Sequence, residues 1–280
     1  MPVQVTGEVL SVKRMGAYHS LTIVAPGIAD QARPGQFVAV AVGGPDSSML
    51  LRRAFSIYAV SERGVYGGTV EFVFSVAGRG TAWLARLRQH DTIDVVGPLG
   101  RPFRLPKDPV TATLVGGGYG TAPLFPLAES LREKGCRVDF VVGAATADRL
   151  FGALDAKRSS TSVVFTTDDG SYGEKGWVSD YLPEVLERTN SDLVYACGPM
   201  GMLRSVAAIA VEHGLPSQVA VEEAMACGIG VCMTCVLPVR GDDGVTRMVR
   251  SCVEGPVFMG DALRWDALNA IPGDCLGAPR

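Results

Sequence analysis

The sequence predicts an α+β multidomain protein with three parts: an antiparallel β-barrel over residues 1–103, a doubly wound parallel α/β domain over 104–222, and a small cysteine-rich domain over 223–280. Three observations lead to this prediction. Short strand-like segments separated by Gly and Pro turns fill the first part. Apolar runs then alternate with helical patterns in the second part. Finally, four of the seven cysteines crowd into one short segment near the C-terminus.

The composition excludes several classes of protein. A formal net charge of −3 without a basic run argues against a nucleic-acid partner. The longest apolar stretches, such as Phe37–Val42 and Val206–Val211, are too short for a membrane span. The N-terminus alternates like a strand and lacks the regions of a signal peptide, so we expect a cytoplasmic protein. Cysteines in such a protein are not expected to form a disulfide framework.

The barrel is predicted from residues 1–103. Its apolar segments are rich in Val, Ile, Phe and Thr, and several alternate apolar with polar residues; they span 3–12, 17–25, 36–42, 54–60, 69–76 and 91–97. Six short strands at this spacing indicate a small antiparallel barrel. One short helix, Thr81–Arg88, is expected to interrupt the last pair of strands.

The α/β domain is predicted from the change of rhythm after residue 110. Strands are expected at Thr111–Gly116, Val138–Gly143, Ser162–Thr166, Leu193–Ala196 and Gln218–Val221, with helices over 121–134, 147–157, 177–188 and 199–213. This alternation indicates a parallel sheet with helices on both faces. Such a sheet binds ligands at the carboxyl ends of its strands, where the strand order reverses.

A glycine turn follows the first parallel strand and reads Gly116-Gly117-Gly118-Tyr119-Gly120. Glycines let a phosphate-bearing ligand approach the backbone, and the helix that follows supplies a partial positive charge. The dinucleotide fingerprint is not met, because Pro123 stands where its last glycine would be. The turn alone therefore leaves two interpretations open: a nucleotide site, or a tight turn that binds nothing.

The cysteine cluster is the strongest chemical signal in the sequence. Cys227, Cys232 and Cys235 have the C-x4-C-x2-C spacing of plant-type [2Fe–2S] proteins, and Cys252 provides the fourth thiolate. Glycines in the intervening loop would let backbone N–H groups face the sulfurs. Structural zinc sites usually have two C-x2-C pairs, and only one is present here. The spacing favours an iron–sulfur cluster over zinc, and over four buried thiols without a metal.

Three more motifs occur in a fixed order with the glycine turn: Arg52-Arg53-Ala54-Phe55-Ser56 on a barrel strand, Gly78-Arg79-Gly80-Thr81 at the short helix, and Cys197-Gly198-Pro199 after the fourth parallel strand. Together these motifs resemble the ferredoxin–NADP reductase superfamily from about residue 8 to about residue 222. The C-terminal stretches Glu222–Cys232 and Ser251–Phe258 resemble one branch more narrowly, the electron-transfer subunits of class 1B dihydroorotate dehydrogenase.

The resemblance implies a role for each motif. Arg53 and Ser56 would contact the flavin and pyrophosphate of FAD, with Arg52 sharing the task, and Gly78, Gly80 and Thr81 would bind the pyrophosphate. Gly116–Gly120 would face the nicotinamide nucleotide, and Cys197 would lie near the nicotinamide and the reactive edge of the flavin. By themselves, two arginines at a strand end are as well explained by a solvated edge, and Cys197 by an inert buried thiol. No acid–base pair or nucleophile is expected.

The function that the resemblance implies is an electron relay in pyrimidine biosynthesis. Electrons would pass from an FMN-containing dihydroorotate dehydrogenase subunit, in a heterotetramer, through [2Fe–2S] and FAD to NAD⁺. NAD is favoured over NADP because residues 143–148 offer no arginine before Arg149. One alternative is an NAD(P)H-dependent FAD/[2Fe–2S] reductase subunit of a hydrogenase or transhydrogenase-like complex. Another is a zinc-stabilised or redox-sensing interaction protein on a reductase-like scaffold.

Overall fold

The computed structural model describes residues 1–44, 47–62, 65 and 67–277. The chain begins with a closed antiparallel barrel of six strands in the order β1-β2-β5-β4-β3-β6. The strands are β1 (Val3–Met15), β2 (Tyr18–Val24), β3 (Phe37–Val40), β4 (Arg53–Ser61), β5 (Thr69–Phe74) and β6 (Thr92–Leu99). Two short helices, α1 (Pro26–Ala29) and α2 (Arg79–Leu84), accompany them. The predicted barrel is confirmed, and α1 is an addition that the sequence did not suggest.

The barrel closes around an apolar interior because alternate side chains of each strand point inward. Leu21, Ile23 and Phe72 are fully buried there. The Phe55 ring stacks on Phe72, with 4.8 Å between the ring centroids. This stack fixes the face of β4 that points into the barrel.

The second domain is a seven-stranded sheet in the order β10-β9-β8-β7-β11-β12-β15. All neighbouring strands are parallel except β15, which runs antiparallel to β12. The strands are β7 (Thr111–Gly117), β8 (Arg137–Ala144), β9 (Ser162–Thr167), β10 (Glu174–Lys175), β11 (Leu193–Cys197), β12 (Ser217–Ala220) and β15 (Val257–Met259). The helices are α3 (Leu124–Glu133), α4 (Ala153–Ser159), α5 (Val178–Thr189) and α6 (Met200–Glu212).

The strand order reverses between β7 and β11. The chain runs from β7 through β8 and β9 on one side, and then crosses to β11 and β12 on the other. Cys197 at the end of β11 is in register with Gly116 near the end of β7. The glycine turn and the Cys197-Gly198-Pro199 motif therefore meet at the point where sheets of this kind bind ligands.

Besides the added α1, the helices differ from the predicted ones at two places: the helix predicted over Thr81–Arg88 is α2, Arg79–Leu84, and the second difference is a break. The segment predicted as one helix over 147–157 is a short 3-10 turn, Ala147–Arg149, followed by α4. Gly152 separates them with φ at 68°, in the left-handed region that ends helices. Within the described ranges, no helix combines the length and apolar composition needed to cross a membrane.

The cysteine-rich segment contains a two-stranded antiparallel hairpin, β13 (Val236–Arg240) and β14 (Thr246–Arg250). Chain that follows the hairpin covers both of its edges. The Arg264 N–H donates to the Pro238 carbonyl at 3.0 Å, and the Leu276 N–H donates to the Thr246 carbonyl at 2.8 Å. The segment packs on both earlier parts of the chain, because β15 joins the main sheet and the buried cysteines pack against the barrel.

Candidate functional site

A cavity of about 540 Å³ lies at the carboxyl ends of the parallel strands. Gly117, Gly118, Tyr119 and Gly120 of the glycine turn line it, as does Pro199. Gly116 does not line it, because this glycine is buried behind the turn and packs against Thr121. We call this space the nucleotide cavity, after the ligand that the glycine turn suggests.

The backbone of the glycine turn touches the backbone of the cysteine motif. A Cβ atom at Gly120 would lie 2.7 Å from the Gly198 Cα and 3.0 Å from the Cys197 carbonyl oxygen. These distances are too short for any side chain. Glycine is therefore required where the two turns cross, and the turns are held in fixed relative positions.

The nucleotide cavity also contains residues that were not among the predicted site residues. Arg149 and Asp168 line it, and Trp177 stands at its edge with 65% of its surface exposed. Thr166 is fully buried, and its hydroxyl finds no hydrogen-bond partner in the described part of the chain. Their position in the sequence could have identified these residues, because each lies at or after the carboxyl end of a strand in the sheet. Residues 143–148 contain no arginine, but Arg149 lines the cavity and supplies it with a guanidinium.

A second cleft, of about 210 Å³, lies between the barrel and the sheet. Parts of four motifs meet there; they are Ala54, Phe55 and Ser56 from β4, Thr81 from α2, Tyr119 and Gly120 from the glycine turn, and Cys197 and Gly198 from the end of β11. We call it the flavin cleft. Burial, together with the nearby Glu222 carboxylate, raises the pKa of Cys197 to about 12. Cys197 therefore presents a neutral thiol to the cleft at physiological pH.

The two neighbouring arginines have different surroundings. Arg52 forms an ion pair with Asp94 at 2.6 Å and also donates to the Asp94 carbonyl at 3.1 Å, which holds it against the barrel edge. Arg53 lies beside α2, since a Cβ atom at Gly80 would be 3.3 Å from the Arg53 Nε. The structure thus brings Arg53, rather than Arg52, to the Gly78–Thr81 segment.

The turn before α2 is shaped by Thr81. Its hydroxyl oxygen accepts hydrogen bonds from the Ala77 and Gly78 N–H groups at 2.9 and 3.1 Å. Gly78 and Arg79 are exposed, whereas Gly80 is buried beneath Arg53. This geometry leaves an open backbone surface at Gly78, two residues before the glycine that Arg53 covers.

The four cysteines of the predicted cluster converge as two pairs. The Cys227 thiol lies against Cys232, and the Cys252 thiol lies against Cys235. Cys235 and Cys252 are buried, Cys227 is half-buried and Cys232 is exposed. In the part of the chain that is described, no three potential ligands converge on a single ion position. Four cysteine thiols brought together in this way fit the ligand set of a [2Fe–2S] cluster.

Hydrogen bonds to sulfur favour thiolates in the outer pair. The Thr234 hydroxyl donates to the Cys232 Sγ at 3.1 Å, and the Val231 N–H donates to the Cys227 Sγ at 3.3 Å. The bond from the Thr234 hydroxyl, with backbone N–H groups, lowers the pKa of Cys232 to about 6. Burial raises the pKa of Cys227, but its backbone hydrogen bonds outweigh that effect and lower it overall.

An arginine fixes the loop that carries the outer pair. The Arg250 guanidinium donates to the Gly230 carbonyl at 2.9 Å and to the Glu254 carboxylate at 2.8 Å. Glu254 also accepts from the Arg250 N–H at 3.1 Å. Arg250 thereby ties the loop between Cys227 and Cys232 to the end of β14, next to Cys252.

One layer of side chains separates the inner cysteine pair from the flavin cleft. Phe37, Ala54 and Met225 line the cleft. The same three residues belong to the apolar cluster that contains Cys235 and Cys252. The cysteines, the flavin cleft and the nucleotide cavity therefore follow one another in space.

Comparisons with known families agree with this arrangement. A profile described as "Oxidoreductase NAD-binding domain" matches residues 114–208. A second, described as "Iron-sulfur cluster binding domain of dihydroorotate dehydrogenase B", matches residues 222–264 and so includes all four cysteines. Each match falls on the part of the chain where the cavity or the thiol pairs lie.

Similar curated proteins cover most of the chain. A protein of Desulforamulus reducens named "Dihydroorotate dehydrogenase B (NAD(+)), electron transfer subunit" is 34% identical, over 86% of this chain and 90% of that protein. The chain belongs to this family. A probable member from Methanopyrus kandleri is 38% identical over 88% of this chain and 86% of that protein. The chain is thus an oxidoreductase component with an NAD-binding domain and an iron–sulfur cluster-binding domain.

Solved structures with the same fold cover most of this chain. A chain from the NADH-dependent reduced ferredoxin-NADP oxidoreductase, described for flavin-based electron bifurcation, matches with a TM-score of 0.80 and 31% identity. The match covers 94% of this chain and 91% of the solved chain. A ferredoxin NADP⁺ reductase from Neisseria gonorrhoeae, with a TM-score of 0.60 and 19% identity over 75% of this chain and 92% of that one, shares the fold.

We predict that Arg250→Gln loosens the loop between Cys227 and Cys232, because the loop loses its tie to β14. The expected result is roughly tenfold faster loss of iron and sulfide under a chelator. Arg247→Gln on the same hairpin is the matched control, since Arg247 pairs only with exposed Asp243 and a neighbouring carbonyl. Equal rates of loss for the two variants would show that Arg250 does not support the cluster.

Proposed function

We propose that the chain is the electron transfer subunit of an NAD-dependent dihydroorotate dehydrogenase and serves pyrimidine biosynthesis. It passes electrons from an FMN-containing catalytic subunit to NAD⁺, with a [2Fe–2S] cluster on Cys227, Cys232, Cys235 and Cys252 and with FAD. The match of residues 222–264 to the iron–sulfur domain of dihydroorotate dehydrogenase B carries the choice of partner, and the spatial order of the sites supports the relay. The inner thiol pair is separated from the flavin cleft by Phe37 and Met225, and the cleft adjoins the nucleotide cavity.

The proposed domains follow the same order. Residues 1–103 form the FAD-binding barrel, residues 104–222 bind NAD, and residues 223–280 hold the cluster. The profile matches at 114–208 and 222–264 support the second and third assignments. The barrel contributes the remaining face of the flavin cleft through β4 and α2, which supports the first.

The flavin site is proposed to use the motifs that converge on the cleft. When bound, FAD exchanges electrons singly or in pairs, and can thus connect a one-electron cluster with a two-electron nicotinamide. Arg53, beside Gly78 and Gly80, holds the pyrophosphate. Ser56 and the neutral Cys197 thiol face the flavin ring. Their part is to bind and orient it, and no charged group of theirs is placed against it.

The proposed docking surface for the catalytic subunit surrounds the exposed cysteine. Ile229, Val231, Met233 and Val253 are 54%, 75%, 52% and 37% exposed around the thiol pairs. Exposed apolar side chains that cluster in this way mark interaction sites. A partner bound here brings its own flavin near the outer thiols. We propose a cytoplasmic heterotetramer, since free thiols persist as ligands in a reducing compartment.

The structural relative at 31% identity supports a second candidate. The chain would then be the FAD/[2Fe–2S] reductase subunit of a transhydrogenase-like complex or, with the same cofactors, of a hydrogenase. All of these use the same three sites in the same order. The catalytic partner distinguishes them, because only the first reading requires that the co-purified complex reduce NAD⁺ with dihydroorotate.

The proposal predicts a coloured protein containing flavin, iron and sulfide. Anaerobic NADH should bleach both the flavin and the cluster absorbance, because the three sites adjoin. The measurement is a visible spectrum before and after NADH, with assays for FAD, iron and sulfide. A colourless protein that contains zinc would contradict the electron-transfer function.

Cys232→Ser should remove the cluster and leave FAD in place, because Cys232 is exposed and lies outside the flavin cleft. We expect iron content to fall several-fold while FAD content and dye reduction by NADH remain near wild type. Cys275→Ser is the control, since this buried cysteine lies outside the cluster. Loss of FAD as complete as the loss of iron would show that the two sites are not separate.

Arg53→Ala should weaken FAD binding about tenfold or more, because it removes a charged hydrogen-bond donor next to Gly80. Arg52→Ala breaks only the pair with Asp94 and neighbouring carbonyl contacts, so FAD should be retained. FAD occupancy after dialysis measures both effects. Full occupancy in Arg53→Ala would remove this residue from the pyrophosphate site.

A further inference from the structure

The nucleotide cavity and the flavin cleft meet at a narrow junction. Their linings share Tyr119, Gly120 and Glu222 among the described residues. Gly120 is fixed at the crossing of the two turns, where no Cβ atom fits. The only side chains at the junction that are able to move are therefore those of Tyr119 and Glu222.

These two side chains are joined across the junction. The Tyr119 hydroxyl donates to the Glu222 carboxylate at 2.9 Å. Burial and the nearby carboxylate both raise the pKa of Tyr119, so the phenol keeps the proton that it donates. The bond connects the first turn after β7 with the residues that follow β12, on opposite sides of the opening.

The Tyr119 ring is also supported from the barrel. It packs against Tyr18 of β2, with 5.3 Å between the ring centroids. The Tyr18 hydroxyl in turn donates to the Arg149 carbonyl at 2.9 Å, which keeps that ring in place. Tyr119 is thus held between the barrel and the sheet in the position that lets it reach Glu222.

We propose that the Tyr119–Glu222 pair is a gate between the nucleotide cavity and the flavin cleft, which the nicotinamide ring must open to reach the flavin. This inference rests on the proposed function, because only a nucleotide that reacts with flavin needs the passage. The adenosine and pyrophosphate parts of the nucleotide occupy the outer cavity with the gate closed. Entry of the nicotinamide ring breaks the hydrogen bond between Tyr119 and Glu222. The nucleotide therefore binds more weakly by the free energy of that bond.

The gate predicts a selective effect of Tyr119→Phe, which keeps the ring and removes the hydrogen bond. NAD⁺ should bind the oxidised protein several-fold more tightly than it binds the wild type, because opening no longer costs the Tyr119–Glu222 bond. ADP-ribose, which lacks the nicotinamide, should bind with an unchanged Kd. Calorimetry on the oxidised protein measures both Kd values without turnover, because NAD⁺ cannot reduce the flavin.

Two further variants serve as controls for this test. Ser205→Ala removes a hydroxyl from the same cavity, and this hydroxyl bonds to the Gly201 carbonyl away from the junction, so it should not change the ratio of the two Kd values. Glu222→Gln keeps an acceptor for Tyr119 and should shift that ratio less than Tyr119→Phe. A Tyr119→Phe protein in which the Kd values of NAD⁺ and ADP-ribose change equally, or not at all, would overturn the gate. A wild type that lacks flavin or binds neither ligand would instead overturn the proposed function.

Discussion

The contact between Gly120 and Gly198 is the constraint on which both cavities depend. The two turns follow neighbouring parallel strands, and their backbones approach so closely that a side chain on either would push them apart. Because they touch, Tyr119 of one turn and Cys197 before the other line the flavin cleft at fixed positions. The nucleotide cavity opens on one side of that contact and the flavin cleft on the other. Glycine here sets the distance between two sites as well as the shape of a turn.

The buried apolar residues of the cysteine-rich segment pack into clusters that they share with the sheet and the barrel. The strand β15 joins the main sheet beside β12, and the Arg101 N–H donates to the Gly255 carbonyl at 2.5 Å. The inner thiol pair packs on Phe37 and Leu99 of the barrel. Two of the four cysteines therefore rest on β3, a barrel strand that also lines the flavin cleft. This shared support explains how the order of the sites is fixed without a large third core.

Much of this could be predicted from the sequence, for identifiable reasons. The barrel and the sheet follow from alternation and rhythm, and the four cysteines follow from their spacing. The pairing of the thiols could not be predicted, because it depends on where Cys235 and Cys252 meet the barrel. The Tyr119–Glu222 bond joins residues 103 positions apart, so no local pattern reveals it. The break in the helix predicted over 147–157 comes from one backbone angle, at Gly152.

Met225 limits how the junction is able to open. It lies three residues after Glu222, and its side chain packs between the flavin cleft and the inner thiol pair. A backbone shift at Glu222 would therefore disturb the layer that separates the cysteines from the cleft. Gly120 cannot move on the other side, because it touches Gly198. Opening by rotation of the Tyr119 and Glu222 side chains leaves both supports in place, so a nucleotide enters while the separation between cleft and cysteines stays constant.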